Sequence, residues 1–237
     1  MKTSLATLSL VLAACGGGGG ETPQPAPQQP APVVVKTYII DYYGDSTIWG
    51  LNVDGSHTQY KGNPPAVLQT ELTRRCGFQV TVNNLAVPGT YASQLLYGTA
   101  EYQNTPFPAR MTASKAQLVI PGGFGLNDSV GYADVPSFKF QVSELVRIAR
   151  EAGKTVVLET SNPTGTGYGF ALSKNIDLYV NAMKQVGTEA GVLVVDQYTP
   201  FFPATPTTFP DGIHPTETVS IQKAMRMADA LQPLVCK

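Results

Sequence analysis

Length, charge and composition restrict the classes of protein to which this chain can belong. Its 237 residues are enough for one substantial α/β domain and too few to favour two large ones. The formal net charge is -1 and only 14% of the residues are charged, so the sequence has no electrostatic footprint for nucleic acid or for an anionic membrane surface. A neutral or extended substrate fits this composition better.

Residues 1–14 have the pattern of a signal peptide. Lys2 is followed by an apolar run from Leu5 to Ala14, which is too short to span a bilayer as a mature helix. The run ends in Leu12-Ala13-Ala14-Cys15, which resembles the lipobox of bacterial lipoproteins. This resemblance implies that Cys15 is lipidated, becomes the first mature residue and anchors the protein to a membrane without a spanning helix. The alternative is an ordinary secretory signal followed by a chance cysteine.

Residues 15–32 are predicted to be a tether. Five glycines are followed by a Pro/Gln/Ala stretch, which cannot bury enough apolar surface to offset the entropy of ordering it. We therefore expect the domain to work in the bacterial cell envelope, outside the cytoplasm. In that oxidising setting Cys76 and Cys236 are candidates for a disulfide, and two unpaired buried thiols are the alternative.

Residues 33–237 are predicted to be one domain in which short β-rich runs alternate with helical patterns. The predicted strands are Val33 to Tyr42, Phe78 to Asn83, Gln117 to Ile120, Thr155 to Glu159 and Val192 to Val195. The predicted helices are Pro65 to Arg75, Thr90 to Leu96, Val135 to Ala152, Leu172 to Ala190 and Pro215 to Leu231. This alternation predicts a parallel sheet covered on both faces, with the functional site in the loops beyond the carboxyl ends of the strands.

Three loops that follow predicted strands carry residues suited to acyl chemistry. Gly44-Asp45-Ser46-Thr47 follows the first strand and exposes a serine hydroxyl, although the same residues suit any turn or helix N-cap. Gly89 ends a turn after the second strand, where its backbone N–H is a candidate donor to the same site. Asn127 follows the third strand in a glycine-rich loop that lacks the pattern of a phosphate-binding loop, so its amide better suits an oxyanion.

A fourth loop supplies a candidate base. Asp211-Gly212-Ile213-His214 follows the fifth strand and precedes the last helix. A carboxylate three residues before an imidazole can hydrogen-bond to Nδ1–H, which leaves Nε2 to take a serine proton.

The four segments together resemble the four sequence blocks of the SGNH (GDSL-like) hydrolases, in order and each after a strand. The resemblance extends from Tyr38 to about Leu231, and the first block departs from the family at Thr47, where the family has Leu. It implies an α/β fold: a three-layer α/β/α, flavodoxin-like sandwich around a five-stranded parallel sheet. The site residues that it implies are Ser46 as nucleophile, Asp211 and His214 as orienting acid and base, and an oxyanion hole of the Ser46 N–H, Gly89 and Asn127.

Three further residues compete for roles. His57, the only other histidine, also stands three residues after an aspartate, Asp54. Topology favours His214, because His57 lies in the loop just after the serine segment whereas His214 arrives from the end of the last strand. We expect Asp196 to be a structural carboxylate and Asp45 to fix the turn before Ser46.

The expected activity is therefore that of a serine esterase that cleaves carboxylic esters with no cofactor and no metal. The expected substrates are short-chain, lipid or carbohydrate acyl esters, either small molecules or polysaccharides, and we expect a monomer with no nucleic-acid partner. Two alternatives stay open: a catalytically silent surface lipoprotein that binds glycans, and an acyltransferase that uses the same site.

Overall fold

Five parallel strands form the centre of the fold. The computed structural model describes residues 36–54, 56–165 and 175–237, and within them the strands lie in the order β2-β1-β3-β4-β5. Each adjacent pair is parallel, with Ile40 of the first strand beside Val82 of the second and Leu118 of the third. The strands are β1 (Thr37–Tyr43), β2 (Gln79–Asn84), β3 (Leu118–Pro121), β4 (Thr155–Glu159) and β5 (Leu193–Val195).

Helices cover both faces of this sheet. They are α1 (Ser46–Trp49), α2 (Pro64–Cys76), α3 (Ala92–Tyr97), α4 (Phe107–Ala113), α5 (Val135–Glu151), α6 (Ile176–Ala190) and α7 (Glu217–Val235). One buried cluster joins α1, α2 and α7 to the sheet, and a second joins α3, α4, α5 and α6 to it. Because alternate residues of β3 enter opposite clusters, Val119 on one side and Leu118 and Ile120 on the other, the sheet has two apolar faces. The predicted three-layer sandwich is confirmed.

The element boundaries differ from the prediction in a few places. The last helix begins at Glu217 rather than Pro215, because the Thr216 side chain caps it by accepting the Val219 N–H. Helices α1 and α4 were not predicted, since four and seven residues are too short to show a helical period. The predicted signal peptide, Cys15 and the tether lie outside the described residues, as do residues 33–35 and 172–174.

A disulfide joins Cys76 to Cys236, as the sequence favoured. Their Cα atoms are 4.7 Å apart, within the usual span of a disulfide. Cys76 is the last residue of α2 and Cys236 follows α7, so the bond ties the ends of two neighbouring helices. Beside it, the Arg75 guanidinium lies 2.7 Å from the Asp229 carboxylate. The C-terminal end of α7 is therefore fastened to α2. No helix among the described residues is long and apolar enough to cross a membrane.

Removing the disulfide should lower stability without changing the fold. The bond closes a loop of 160 residues, so its loss enlarges the unfolded ensemble. For the double variant Cys76→Ser, Cys236→Ser we expect the free energy of unfolding in urea to fall by about 2–5 kcal/mol. Dithiothreitol should lower the midpoint of the wild-type chain and leave that of the double variant unchanged. Equal midpoints for the oxidised wild type and the variant would contradict the assignment.

Candidate active site

Ser46 lies where the chain leaves β1 and enters α1. The turn needs glycine at Gly44, because a Cβ there would lie 2.5 Å from Cγ1 of Ile48 and 2.7 Å from the carbonyl oxygen of Gly122. Asp45 then fixes the turn as predicted, since its Oδ1 accepts from the N–H and from the hydroxyl of Thr47, each at 2.8 Å. Ser46 is 6% exposed. Its hydroxyl is thus held by the backbone at the carboxyl end of β1.

His214 and Asp211 form a hydrogen-bonded line with Ser46. Ser46 Oγ lies 2.8 Å from His214 Nε2, and His214 Nδ1 lies 2.6 Å from Oδ2 of Asp211. An ionised carboxylate can only accept a hydrogen bond, so Nδ1 carries the imidazole proton and the lone pair of Nε2 faces the serine hydroxyl. A hydroxyl, a base and an acid that orients the base are the parts of an activated nucleophile.

The Asp211 carboxylate is ionised in this arrangement. Partial burial acts to raise its pKa, but the hydrogen bond from the His214 ring and those from the backbone N–H groups of His214 and Ile213 hold that pKa at about 2. The two backbone bonds reach Oδ1 of Asp211 at 2.7 and 2.9 Å. One carboxylate therefore orients both the imidazole and the backbone that bears it.

The structure separates His57 from this line. His57 is exposed in the loop after α1, and its φ is +53°. The nearby Asp54 carboxylate accepts instead from the Ser56 N–H at 2.8 Å and from the Asn52 side chain. Among the described residues no hydrogen bond joins His57 to Ser46. The Asp-x-x-His spacing occurs twice in the sequence, and only the second occurrence lies at the serine.

The predicted oxyanion donors lie on loops that are hydrogen-bonded to the serine turn and to each other. The turn that holds Gly89 is fixed by the Val87 N–H, which donates to the carbonyl of Gly44 at 2.9 Å. Asn127 Nδ2 donates to the carbonyl of Thr90 at 2.8 Å. This bond uses one of the two amide hydrogens, and the other remains for a ligand. The N–H groups of Ser46 and Gly89 have no acceptor among the described residues. Three donors thus remain unused around the serine turn.

Asp128 is a buried residue of the site frame to which the sequence assigned no role. Its Oδ2 accepts from the Gly125 N–H at 2.9 Å and its Oδ1 from the Ala92 N–H at 3.1 Å, so it joins the loop after β3 to the start of α3. Burial raises the pKa of this carboxyl to about 7, although the hydrogen bonds from Gly125 and Ala92 oppose that rise. The sequence feature that could have identified Asp128 is its position directly after Asn127.

Asp196, at the end of β5, is a structural carboxylate, as the sequence indicated. Its oxygens accept from Lys184 Nζ at 2.8 Å, from the hydroxyl of Thr199 at 2.6 Å and from the N–H of Tyr198 at 2.9 Å. It therefore fastens the loop after β5 to α6. Within residues 36–54, 56–165 and 175–237, no three His, Cys, Asp or Glu side chains are grouped so that they could hold a metal ion.

Comparisons with known proteins give both a family match and structural neighbours. The sequence model of the GDSL-like lipase/acylhydrolase family matches residues 42–219. A carbohydrate acetylesterase from Sinorhizobium meliloti has 15% identity and a TM-score of 0.67 over 83% of this chain and 99% of that chain. An aryl esterase from M. smegmatis has 16% identity and a TM-score of 0.66 over 84% of this chain and 100% of that chain. At such low identities, similarity to these two structures establishes the fold alone.

A third solved structure gives the same result. A lipase/acylhydrolase from Enterococcus faecalis has 18% identity and a TM-score of 0.65 over 84% of this chain and 97% of that chain. The curated proteins include no match to this sequence. The expected SGNH hydrolase fold is confirmed by these neighbours together with the strand order.

The buried Asp128 carboxyl should make stability depend on pH. Its pKa is about 7 in the folded chain and 3.8 when exposed, so the folded state binds the proton more tightly. The contribution of Asp128 to stability is then full below its unfolded pKa and is lost as the pH rises through about 7. We expect the free energy of unfolding of the wild type, measured relative to Asp128→Asn, to fall between pH 4 and pH 7. Parallel pH curves for the two proteins would refute the assignment.

Proposed function

The chain belongs to the GDSL-like lipase/acylhydrolase family of esterase-type hydrolases, and on that premise we propose that it is an extracytoplasmic serine carboxylester hydrolase. Ser46 is its nucleophile, His214 its base and Asp211 the acid that orients the base. The observation that carries this proposal is the unbroken line from Ser46 Oγ to His214 Nε2 at 2.8 Å and from His214 Nδ1 to Asp211 at 2.6 Å.

Acylation uses this line to make the serine hydroxyl a nucleophile. His214 Nε2 takes the proton of Ser46 as Oγ attacks the ester carbonyl carbon, and the carbonyl oxygen becomes an oxyanion. The charge on the resulting imidazolium is stabilised by the ionised Asp211 carboxylate. His214 then donates its proton to the oxygen of the leaving alcohol as the carbon–oxygen bond breaks. The product is an acyl ester of Ser46.

Deacylation repeats these steps with water in place of the serine. Water gives a proton to His214 as its oxygen attacks the acyl carbon, and His214 returns the proton to Ser46 Oγ as the acid leaves. In both halves the oxyanion accepts hydrogen bonds from the Ser46 N–H, the Gly89 N–H and the free hydrogen of Asn127 Nδ2. Loss of one such donor in other enzymes costs about 10²–10³ in rate.

We infer the substrate class from the family and from the structurally similar proteins, which support it. Neighbouring structures are those of a carbohydrate acetylesterase and an aryl esterase, which favours short acyl groups on sugar or phenolic oxygens. The low charge of the chain is consistent with a neutral ester. We extend the proposal to short-chain, lipid and O-acetylated carbohydrate esters. An activity panel across acyl length, with acetylated xylan included, would identify which of these esters the protein cleaves.

The proposed location is the bacterial cell envelope, with the protein anchored through lipidated Cys15. The sequence pattern of residues 1–32 supports this location. A disulfide between Cys76 and Cys236 also fits an oxidising compartment. Radiolabelled palmitate incorporated into the wild-type chain and not into Cys15→Ser would support the anchor, whereas equal labelling of both would oppose it.

The catalytic assignment is tested by three variants of the full chain, purified in detergent. We expect Ser46→Ala and His214→Ala to lower the rate of p-nitrophenyl acetate hydrolysis by at least about 10³-fold, because each removes one member of the line. His57→Ala is the matched histidine control and should retain the wild-type rate within about twofold, since exposed substitutions away from a site have small effects.

Two outcomes would contradict the assignment. Hydrolysis by Ser46→Ala at the wild-type rate would exclude this serine as nucleophile. Loss of activity in His57→Ala with retention in His214→Ala would reverse the choice of base.

A further inference from the structure

A buried polar line, Lys223–Asn162–Ile213, runs from α7 through the loop after β4 to the segment that bears His214. Lys223 Nζ donates to Asn162 Oδ1 at 3.1 Å. Asn162 Nδ2 in turn donates to the carbonyl of Ile213 at 3.1 Å and to the carbonyl of Pro163 at 3.1 Å. Both Lys223 and Asn162 are 0% exposed. Neither Lys223 nor Asn162 belongs to the sequence blocks that identify the active site.

The lysine determines which way the carboxamide of Asn162 points. An ammonium group donates hydrogen bonds and accepts none, so the amide oxygen must face Lys223. The NH₂ group then faces the two carbonyls, and both of its hydrogens have acceptors. In the reverse orientation Nδ2 would face an ammonium and Oδ1 would face two carbonyl oxygens, which leaves every contact repulsive. Asn162 is therefore held in one orientation.

This amide completes the restraint on the peptide between Ile213 and His214. The carbonyl oxygen of that peptide accepts from Asn162, and its N–H donates to Oδ1 of Asp211 at 2.7 Å. The preceding peptide is held in the same way, because the Gly212 carbonyl accepts from the Gly165 N–H at 2.8 Å and the Ile213 N–H donates to Asp211 at 2.9 Å. Because a peptide unit is planar, hydrogen bonds at both its oxygen and its hydrogen restrain the orientation of the whole unit. The Cα of His214 is thereby fixed.

We propose that Asn162 is a positioning residue for His214 and that Lys223 orients Asn162. The proposal rests on the proposed function, in which His214 is the base. Asn162 holds the backbone from one side and Asp211 holds both the backbone and the ring from the other. Together they place Nε2 at hydrogen-bond distance from Ser46 before substrate arrives. Misplacement of a reacting group by about 1 Å can cost about 10²-fold in rate.

The charges around Lys223 indicate why a buried ammonium is tolerated there. Burial lowers the pKa of Lys223, and the nearby carboxyls of Glu159 and Asp45 oppose that effect. Glu159 also accepts a hydrogen bond from the hydroxyl of Tyr42. All four groups are buried: Lys223, Glu159, Asp45 and Tyr42. Among the described residues Lys223 forms no salt bridge with a carboxylate, so these charges act on it without direct contact. The direct polar contact of the ammonium group is its hydrogen bond to Asn162.

The first test compares variants of Asn162 and Lys223 with a control variant of Ser220, a buried polar residue on the same helix as Lys223. Asn162→Asp keeps the shape and the acceptor for Lys223, but an ionised carboxylate cannot donate to Ile213. We expect kcat for p-nitrophenyl acetate to fall by roughly 10- to 100-fold while KM changes by less than about threefold. Lys223→Met should lower kcat less, since Asn162 keeps the NH₂ group that donates to the carbonyl of Ile213. Ser220→Ala removes a buried hydroxyl that has no hydrogen-bond partner among the described residues, and it should match the wild type.

The second test uses NMR to detect a change in the environment of the His214 ring, and it needs no substrate turnover. The chain has two histidines, so the ring-nitrogen signals in a ¹H–¹⁵N spectrum can be assigned by comparison with His57→Ala. Asn162→Asp should shift the signals of His214, and Ser220→Ala should leave them in place. Thermal unfolding establishes that each variant is folded at the temperature used. Should Asn162→Asp not fold, Asn162→Ser, which adds no charge and is too short to reach Ile213, serves the same comparison.

The outcomes separate this proposal from the proposed function. Wild-type kcat and unmoved His214 signals in a folded Asn162 variant would overturn the positioning role while leaving the esterase intact. A variant that unfolds at a lower temperature but keeps wild-type kcat below that temperature would also overturn it, because that is the behaviour of a purely structural residue. A wild-type chain with no esterase activity would refute the proposed function, and the ring-nitrogen shifts would still decide whether Asn162 positions His214.

Discussion

The hydrogen bond between Ser46 and His214 is the interaction on which the rest of the site depends. It joins residues 168 positions apart in the chain, at a heavy-atom distance of 2.8 Å. The parallel sheet makes this possible, because every strand ends at the same edge and the loops that follow β1, β2, β3 and β5 meet there. Glycine at Gly44 lets the serine turn pack against the β3 loop, and the hydrogen bonds around His214 hold the ring toward it.

The site is fixed by buried polar groups that do not touch the substrate in the proposed reaction. Asp45 holds the serine turn, Asp128 holds the loop that carries Asn127, and Asn162 holds the backbone next to His214. Burial raises the pKa of both Asp45 and Asp128, which means that each carboxylate opposes folding when it is ionised. In the proposed reaction the donors and the base are in place before substrate binds, and this preorganisation costs stability.

The sequence predicted those parts of the molecule that have local patterns. The five strands follow from short apolar runs, and Ser46, Gly89, Asn127 and His214 follow from loops after strands that resemble known blocks. Helices α1 and α4 could not be predicted from so few residues. The link from Lys223 to Asn162 could not be predicted either, because it spans 61 residues and both side chains look like ordinary surface polar residues until the fold buries them. The same limit explains why spacing alone could not choose between His57 and His214.

The most direct test of the central claim is covalent labelling of the full wild-type chain with a fluorophosphonate, followed by peptide mass spectrometry. Such a reagent phosphonylates a serine oxygen that a neighbouring base activates. If the Ser46–His214–Asp211 line is a working nucleophile, the chain acquires one phosphonyl group, located on Ser46, and His214→Ala slows the labelling sharply. A wild-type chain that stays unlabelled, or that is labelled at another residue while Ser46 remains unmodified, would contradict the account.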